Sequence, residues 1–199
     1  MGGRARLTAG SLLMACTGVL VGCASDADLA RPERRLFALG SASYADVVAR
    51  FGPPQRTAEV FRNGARIQVV WYSHAGSPSE ASRQGDVPIR VLECDFANGV
   101  LVGRVFASSF KSDSTDFDAS LAPAIRKGAT SSDEVEILVG RPSAFFVAPL
   151  VEAPAAAAVG YFAVPVDQGT GSGGWTFRKS LTISFDSKDL AYSVKVHAP

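Results

Sequence analysis

The sequence predicts an α+β fold built as two tandem repeats of short helices packed on one face of an antiparallel β-meander sheet. Three observations point there. The stretches GPPQ, from Gly52, and GRPS, from Gly140, write the same glycine-x-proline stop after a short apolar segment. The segments they close, GSASYADVVARFGPP from Gly40 and GATSSDEVEILVGRP from Gly128, match in physical role along their length, at a period of 88 residues (128 − 40). Each is followed by β-rich runs broken by turn residues, with Asn63-Gly64 and Asn98-Gly99 suited to tight hairpins.

Taken from the amino terminus, residues 1–22 read as a lipoprotein signal peptide. Arg4 and Arg6 supply a positive region, Leu7 to Val21 is uncharged and largely apolar, and small residues follow. Leu20-Val21-Gly22-Cys23 looks like the lipobox of bacterial lipoproteins, which makes Cys23 the lipid attachment site and the first residue after cleavage. Acyl chains on that residue would anchor it firmly, since each buried methylene contributes about 0.8 kcal/mol. A competing box ends at Cys16, but cleavage there would leave an apolar stub, TGVLVG. The alternative of an uncleaved membrane helix from Leu7 to Ser25 is short for a span and weakened by Gly, Ser and Thr. Residues 23–36 then form a tether. The 14 residues from Cys23 to Phe37 reach at most about 46 Å at roughly 3.3 Å each.

The first repeat is assigned to residues 37–110. Ser43 is the expected N-cap of its helix, and Asp46 stands where an acid completes a capping box. Val47 and Phe51 form an i,i+4 pair for the core, Gly52 closes the helix, and Pro54 forbids its continuation. Such a helix is too short to persist alone, so a sheet must hold it. TAEVFRNGARIQVVWYS and IRVLECDFANGVLVGRVFAS supply two hairpins. Residues 111–124 read as a solvated linker. In the second repeat, 125–199, Ser131, Glu134, Val135, Val139, Gly140 and Pro142 take the same parts. SAFFVAPL pairs with VGYFAVPV, and the last two strands flank DSKD.

Composition narrows the function. Removing Arg4 and Arg6 from 20 basic residues leaves 18 against 19 acidic ones, too few to neutralise phosphates, so nucleic acid is not the expected partner. Cys16 leaves with the signal and Cys23 takes lipid, so Cys94 has no disulfide partner. It alternates with charged neighbours in RVLECDF and reads as a small buried hydrophobe.

The helix form glycine, cap, acid, valine, glycine-x-proline, followed by the aromatic strand VVWY and the hairpin FANGVL, resembles the SmpA/OmlA domain, that of the outer-membrane assembly factor BamE. It is also similar to the tandem-repeat β-lactamase inhibitor protein fold. The resemblance covers most of Phe37 to Ala107 and, less cleanly, Ile125 to Val196. It implies an outer-membrane lipoprotein facing the periplasm, acting as a scaffold in outer-membrane protein assembly or envelope integrity. The duplicated unit implies the alternative: a tethered inhibitor or capture module for a periplasmic or extracellular hydrolase. Two units depart from the assembly factor, while the lipobox and lack of disulfide cysteines depart from the secreted inhibitor.

Chemistry is sparse. His74 and His197 stand in no metal-ligand spacing, and GTGSGG, from Gly169, enters a strand where a phosphate site would need a helix. Asp113, Asp116 and Asp118 lack the glycine and distal glutamate of a calcium loop. The expectation is therefore a non-enzymatic protein-binding module with no catalytic residues, cofactor, metal or small-molecule substrate. Its expected partners are a protein of the cell envelope and, through the lipid anchor, the membrane. Trp71, Tyr72, Tyr161 and Trp175 are the expected partner-binding residues: one neighbour of each aromatic pair should point away from the helices, where exposed Tyr and Trp make good anchors. Laid side by side, the two sheets would offer one broad concave surface.

Overall fold

The computed structural model describes residues 29–34, 36–84, 87–167 and 175–198. The predicted signal peptide, both lipoboxes, the first part of the tether and the GTGSGG loop lie outside them. Eight strands follow one another in a single antiparallel sheet: β1 (Arg56–Arg62), β2 (Ala65–Ala75), β3 (Ile89–Ala97), β4 (Val100–Ser108), β5 (Ala144–Val147), β6 (Ala157–Asp167), β7 (Trp175–Phe185) and β8 (Ala191–His197). The α-helices are α1 (Tyr44–Phe51) and α2 (Ser132–Val139), eight residues each, supplemented by short 3-10 segments at Pro78–Glu80 and Ala119–Ala124.

The local signals hold. Ser43 with Asp46, and Ser131 with Glu134, form complete capping boxes. Gly52 (φ 77°, ψ −170°) and Gly140 (φ 99°, ψ −171°) end the helices in a backbone region open almost only to glycine. Asn63-Gly64 and Asn98-Gly99 turn with positive φ at both residues, as a type I′ hairpin needs. The alanine-rich stretch from Ala155 leads into β6, which begins at Ala157.

The architecture corrects the predicted fold class. The protein is mostly one eight-stranded sheet, not two tandem helix-on-sheet repeats. The reason is at the middle of the chain: β5 adds directly to β4 through Gly103↔Phe146, Arg104↔Phe145 and Val105↔Ala144, so the hydrogen-bond ladder never breaks. A β4 left uncovered would present a row of unpaired backbone groups. The expected linker is likewise built in. Arg90 Nε donates to Asp113 at 2.8 Å, Lys179 pairs with Asp116 at 2.5 Å, and the Thr115 hydroxyl donates to Phe162 O at 2.7 Å. Asp118 accepts from Ser120 N at the start of the second 3-10 segment.

Among the described residues, three apolar clusters hold the sheet. Val47 and Phe51 of α1 pack with Val70, Tyr72, Leu92, Cys94 and Phe96, while Val135 of α2 packs with Tyr161, Leu181, Ile183 and Phe185. The third cluster, Ile67, Val69, Trp71, Val91 and Val102, lies on the opposite face. The tether is shorter than expected, because Leu29 already packs in the α1 cluster. Arg31 then donates to Arg141 O and Pro142 O, at 3.0 and 2.9 Å, and Arg141 returns a bond to Pro32 O at 2.9 Å.

Candidate functional site: the concave face of the sheet

Strand alternation decides where the predicted aromatics go. Tyr72 and Tyr161 turn to the helix side and are buried, 5% and 2% exposed. Each phenol donates to the carbonyl of the glycine that ends the neighbouring helix: Tyr72 to Gly52 O at 3.1 Å, Tyr161 to Gly140 O at 2.9 Å. Burial pushes both hydroxyls to higher pKa, keeping them protonated donors. The expectation that these two tyrosines are exposed anchors is therefore corrected: they are core residues that tie helix ends to strands. Their chain neighbours Trp71 and Phe162 point to the other face.

That face is a groove of about 860 Å³ running across the sheet from β1 to β8. The sheet curls around it, so that β1 meets the second half of the chain at both ends. Asn63 in the β1–β2 turn donates to Pro149 O at 2.7 Å in the β5–β6 loop. Toward the other end of β1, the Arg56 guanidinium sits 5.9 Å from the centre of the Trp175 ring, and Trp175 packs against the Trp71 cluster. Trp71 and Trp175 thus come together across the groove, Trp71 buried and Trp175 half-buried. Phe162, packed on Phe146 and Phe177, forms a further part of the lining.

Two β-bulges shape the lining, each a device that re-aims a side chain. Asp95 pairs with Gly103 and Phe96 with Leu101, leaving Val102 as the extra residue of β4. Ser184 pairs with Ser193 and Phe185 with Ala191, leaving Tyr192 as the extra residue of β8; it lines the groove at 50% exposure.

The floor carries Glu93 and Asp95, i,i+2 neighbours of β3 on the groove side. Trp71 Nε1 donates to Glu93 Oε2 at 2.5 Å. Asp95 is 5% exposed, and among the described residues nothing donates to its carboxylate. It lies over Gly103, where any Cβ would come within 2.4 Å of both Asp95 Oδ2 and Leu150 Cδ1. Burial pushes both carboxyls above the ordinary range. For Asp95 the Glu93 charge adds to this and Arg62 opposes it; for Glu93 the Trp71 hydrogen bond and Arg62 oppose it.

A pH signature follows. An acid whose folded pKa is raised favours the fold fully at pH below its unfolded value and loses that contribution as pH climbs through its folded value. Asp95→Asn removes the ionisation at nearly constant shape. It is expected to raise the melting temperature by a few degrees near pH 9 and by less near pH 5, in scanning calorimetry at both pH values. A gain independent of pH would mean that Asp95 is not held above its ordinary range.

The other sequence candidates do not join this site. Cys94 is fully buried on the helix side, and burial raises its thiol pKa far from the reactive range. His74 stacks on Phe110 at 5.7 Å between ring centres. Among the described residues no three His, Cys, Asp or Glu side chains are placed to hold a metal ion, and no helix is long and apolar enough to cross a membrane. Sequence reasoning missed Glu93, Asp95, Phe162 and Tyr192. Alternation from Tyr161 was signal enough for Phe162; a bulge leaves no such mark for Tyr192.

No protein-family model and no curated protein matches the sequence. Among solved structures, a candidate β-lactamase inhibitor protein from Streptococcus mutans is similar at 12% identity and a TM-score of 0.38, over 81% of this chain and 90% of that one. So distant a likeness leaves function to be argued from the groove.

Proposed function

We propose that this protein is a lipid-anchored, non-catalytic module of the bacterial outer membrane that binds a protein partner in its concave groove. The observation that carries the binding role is the groove itself: a curved sheet face on which Trp71, Trp175, Phe162 and Tyr192 stand among polar and charged side chains, of a size typical of recognition sites. The envelope role, as a scaffold in outer-membrane protein assembly or envelope integrity, rests on the SmpA/OmlA resemblance and the lipobox. Ala24 after the lipidated cysteine favours export to the outer membrane over inner-membrane retention. Leu29 is docked on the domain, and only six residues of chain (29 − 23) separate it from Cys23. They would hold the domain within about 20 Å of the bilayer.

Two measurements check this. Cys23→Ser is expected to move the protein from the membrane fraction to the aqueous one, and an unchanged fractionation pattern would refute anchoring at that residue. Trp175→Ala with Tyr192→Ala is expected to abolish co-purification of the partner from detergent-solubilised envelopes, with the melting temperature changed by only a few degrees. Retention of the partner by the folded variant would place recognition elsewhere. Recovery of barrel-assembly components supports the scaffold role, whereas recovery of a single hydrolase converts the reading to a tethered inhibitor.

A further inference from the structure

Resting on the reading of the groove as a protein-binding site, we infer that its Glu93–Asp95 floor is a receptor for an arginine side chain carried by an extended segment of the partner. The starting point is an unmet need. Asp95 is 5% exposed, lines the groove and receives no hydrogen bond or ion pair from any described residue. A buried carboxyl without partners is costly, and a ligand that supplies donors recovers that cost on binding. Arg62, whose charge both carboxyls feel, stands exposed at the rim and pairs with neither.

The chemistry of the floor selects the ligand. Two acids on one strand face stand about 6.6 Å apart along the chain. A guanidinium offers five donors in a planar fork, is weakly hydrated, and stacks on aromatic faces. Trp71 and Trp175 flank the same space. A metal ion fits less well, since the described residues bring no third ligand. The groove is lined by residues of every strand but β4, as far as Lys195 and Ser193 on β8, a length that suits an extended polypeptide better than a free small cation. The remaining rim charges, Glu152 and Lys195, are of both signs and do not cancel the acidic floor.

The test uses the mature chain and the peptide acetyl-TVRVT-amide, titrated by NMR beside its citrulline counterpart, which keeps the shape and loses the charge. The arginine peptide is expected to bind roughly tenfold or more tightly than the citrulline peptide, with shifts centred on Trp71 and Asp95. Glu93→Gln with Asp95→Asn should bring its affinity down to the citrulline level while the citrulline peptide binds as before. That variant removes two buried acids whose ionisation burial already opposes, so it should melt no lower than the parent, which separates lost recognition from lost folding. Equal binding of the two peptides overturns the receptor and leaves the groove reading standing. Absence of binding by both also overturns it, and the envelope capture with the Trp175 and Tyr192 variants then decides the groove reading by itself. An equal response to calcium chloride alone would replace the arginine with a metal ion.

Discussion

Val135→Asp is expected to abolish cooperative folding of the whole described domain. Val135 is fully buried beneath α2, in one cluster with Tyr161, Leu181 and Ile183. The substitution removes apolar packing and places a carboxylate where nothing is positioned to pair with it. Burying an unpaired charge costs several kcal/mol, a large share of the 5–15 kcal/mol by which a domain is typically stable. Val135→Ala, which removes packing without adding charge, should cost only about 2 kcal/mol and retain a melting transition. Because β4 and β5 join the strands into one ladder, the loss should be all-or-none in circular dichroism. A variant that kept half its ellipticity and melted in a separate step would show two folding units instead.

Tyr72→Ala combined with Tyr161→Ala should likewise leave no folded protein, the opposite of what exposed anchor residues would give. Each truncation empties a space in a different cluster. Large-to-small aromatic changes cost about 3–5 kcal/mol each and add when the sites are independent. Their sum is comparable to the entire stability of a domain. The single Tyr→Phe variants isolate the hydroxyls that hold Gly52 O and Gly140 O, and each should cost about 1 kcal/mol in urea unfolding. Near-normal midpoints for the double alanine variant would return both rings to the surface.

Much of the local structure was legible from residue order alone. Ser43 and Asp46 are three apart because a capping box spans three residues, and that spacing needs no tertiary partner. The same holds for Ser131 and Glu134, for the glycines that end the helices, and for the Asn-Gly hairpins. The apolar faces of Val47 and Val135, and the buried state of Cys94, follow from period and alternation. These are short-range constraints, each written into a few neighbouring side chains.

The site was legible only in part. Alternation said that Trp71 and Tyr72 must part company, but not which of them faces the helices; the register of β2 against β3, with Trp71 opposite Glu93, settled it. In RVLECDF, Glu93 and Asp95 show only as the acids that alternate with Leu92, Cys94 and Phe96. Only the curl of the sheet and the β5–β6 loop, which brings Leu150 to Gly103 beside Asp95, turned them into the floor of a groove.

By itself, then, the sequence determined where helices start and stop, where hairpins turn and which residues share a face, because those depend on contacts within a few residues. The tertiary structure alone decided that eight strands make one sheet, that two tyrosines are core, and that a buried acid meets no partner among the described residues. Those outcomes depend on pairings such as Arg104 with Phe145 and Asn63 with Pro149. Pairing between distant strands is set by the edges and curvature of the assembled sheet, which no local pattern encodes.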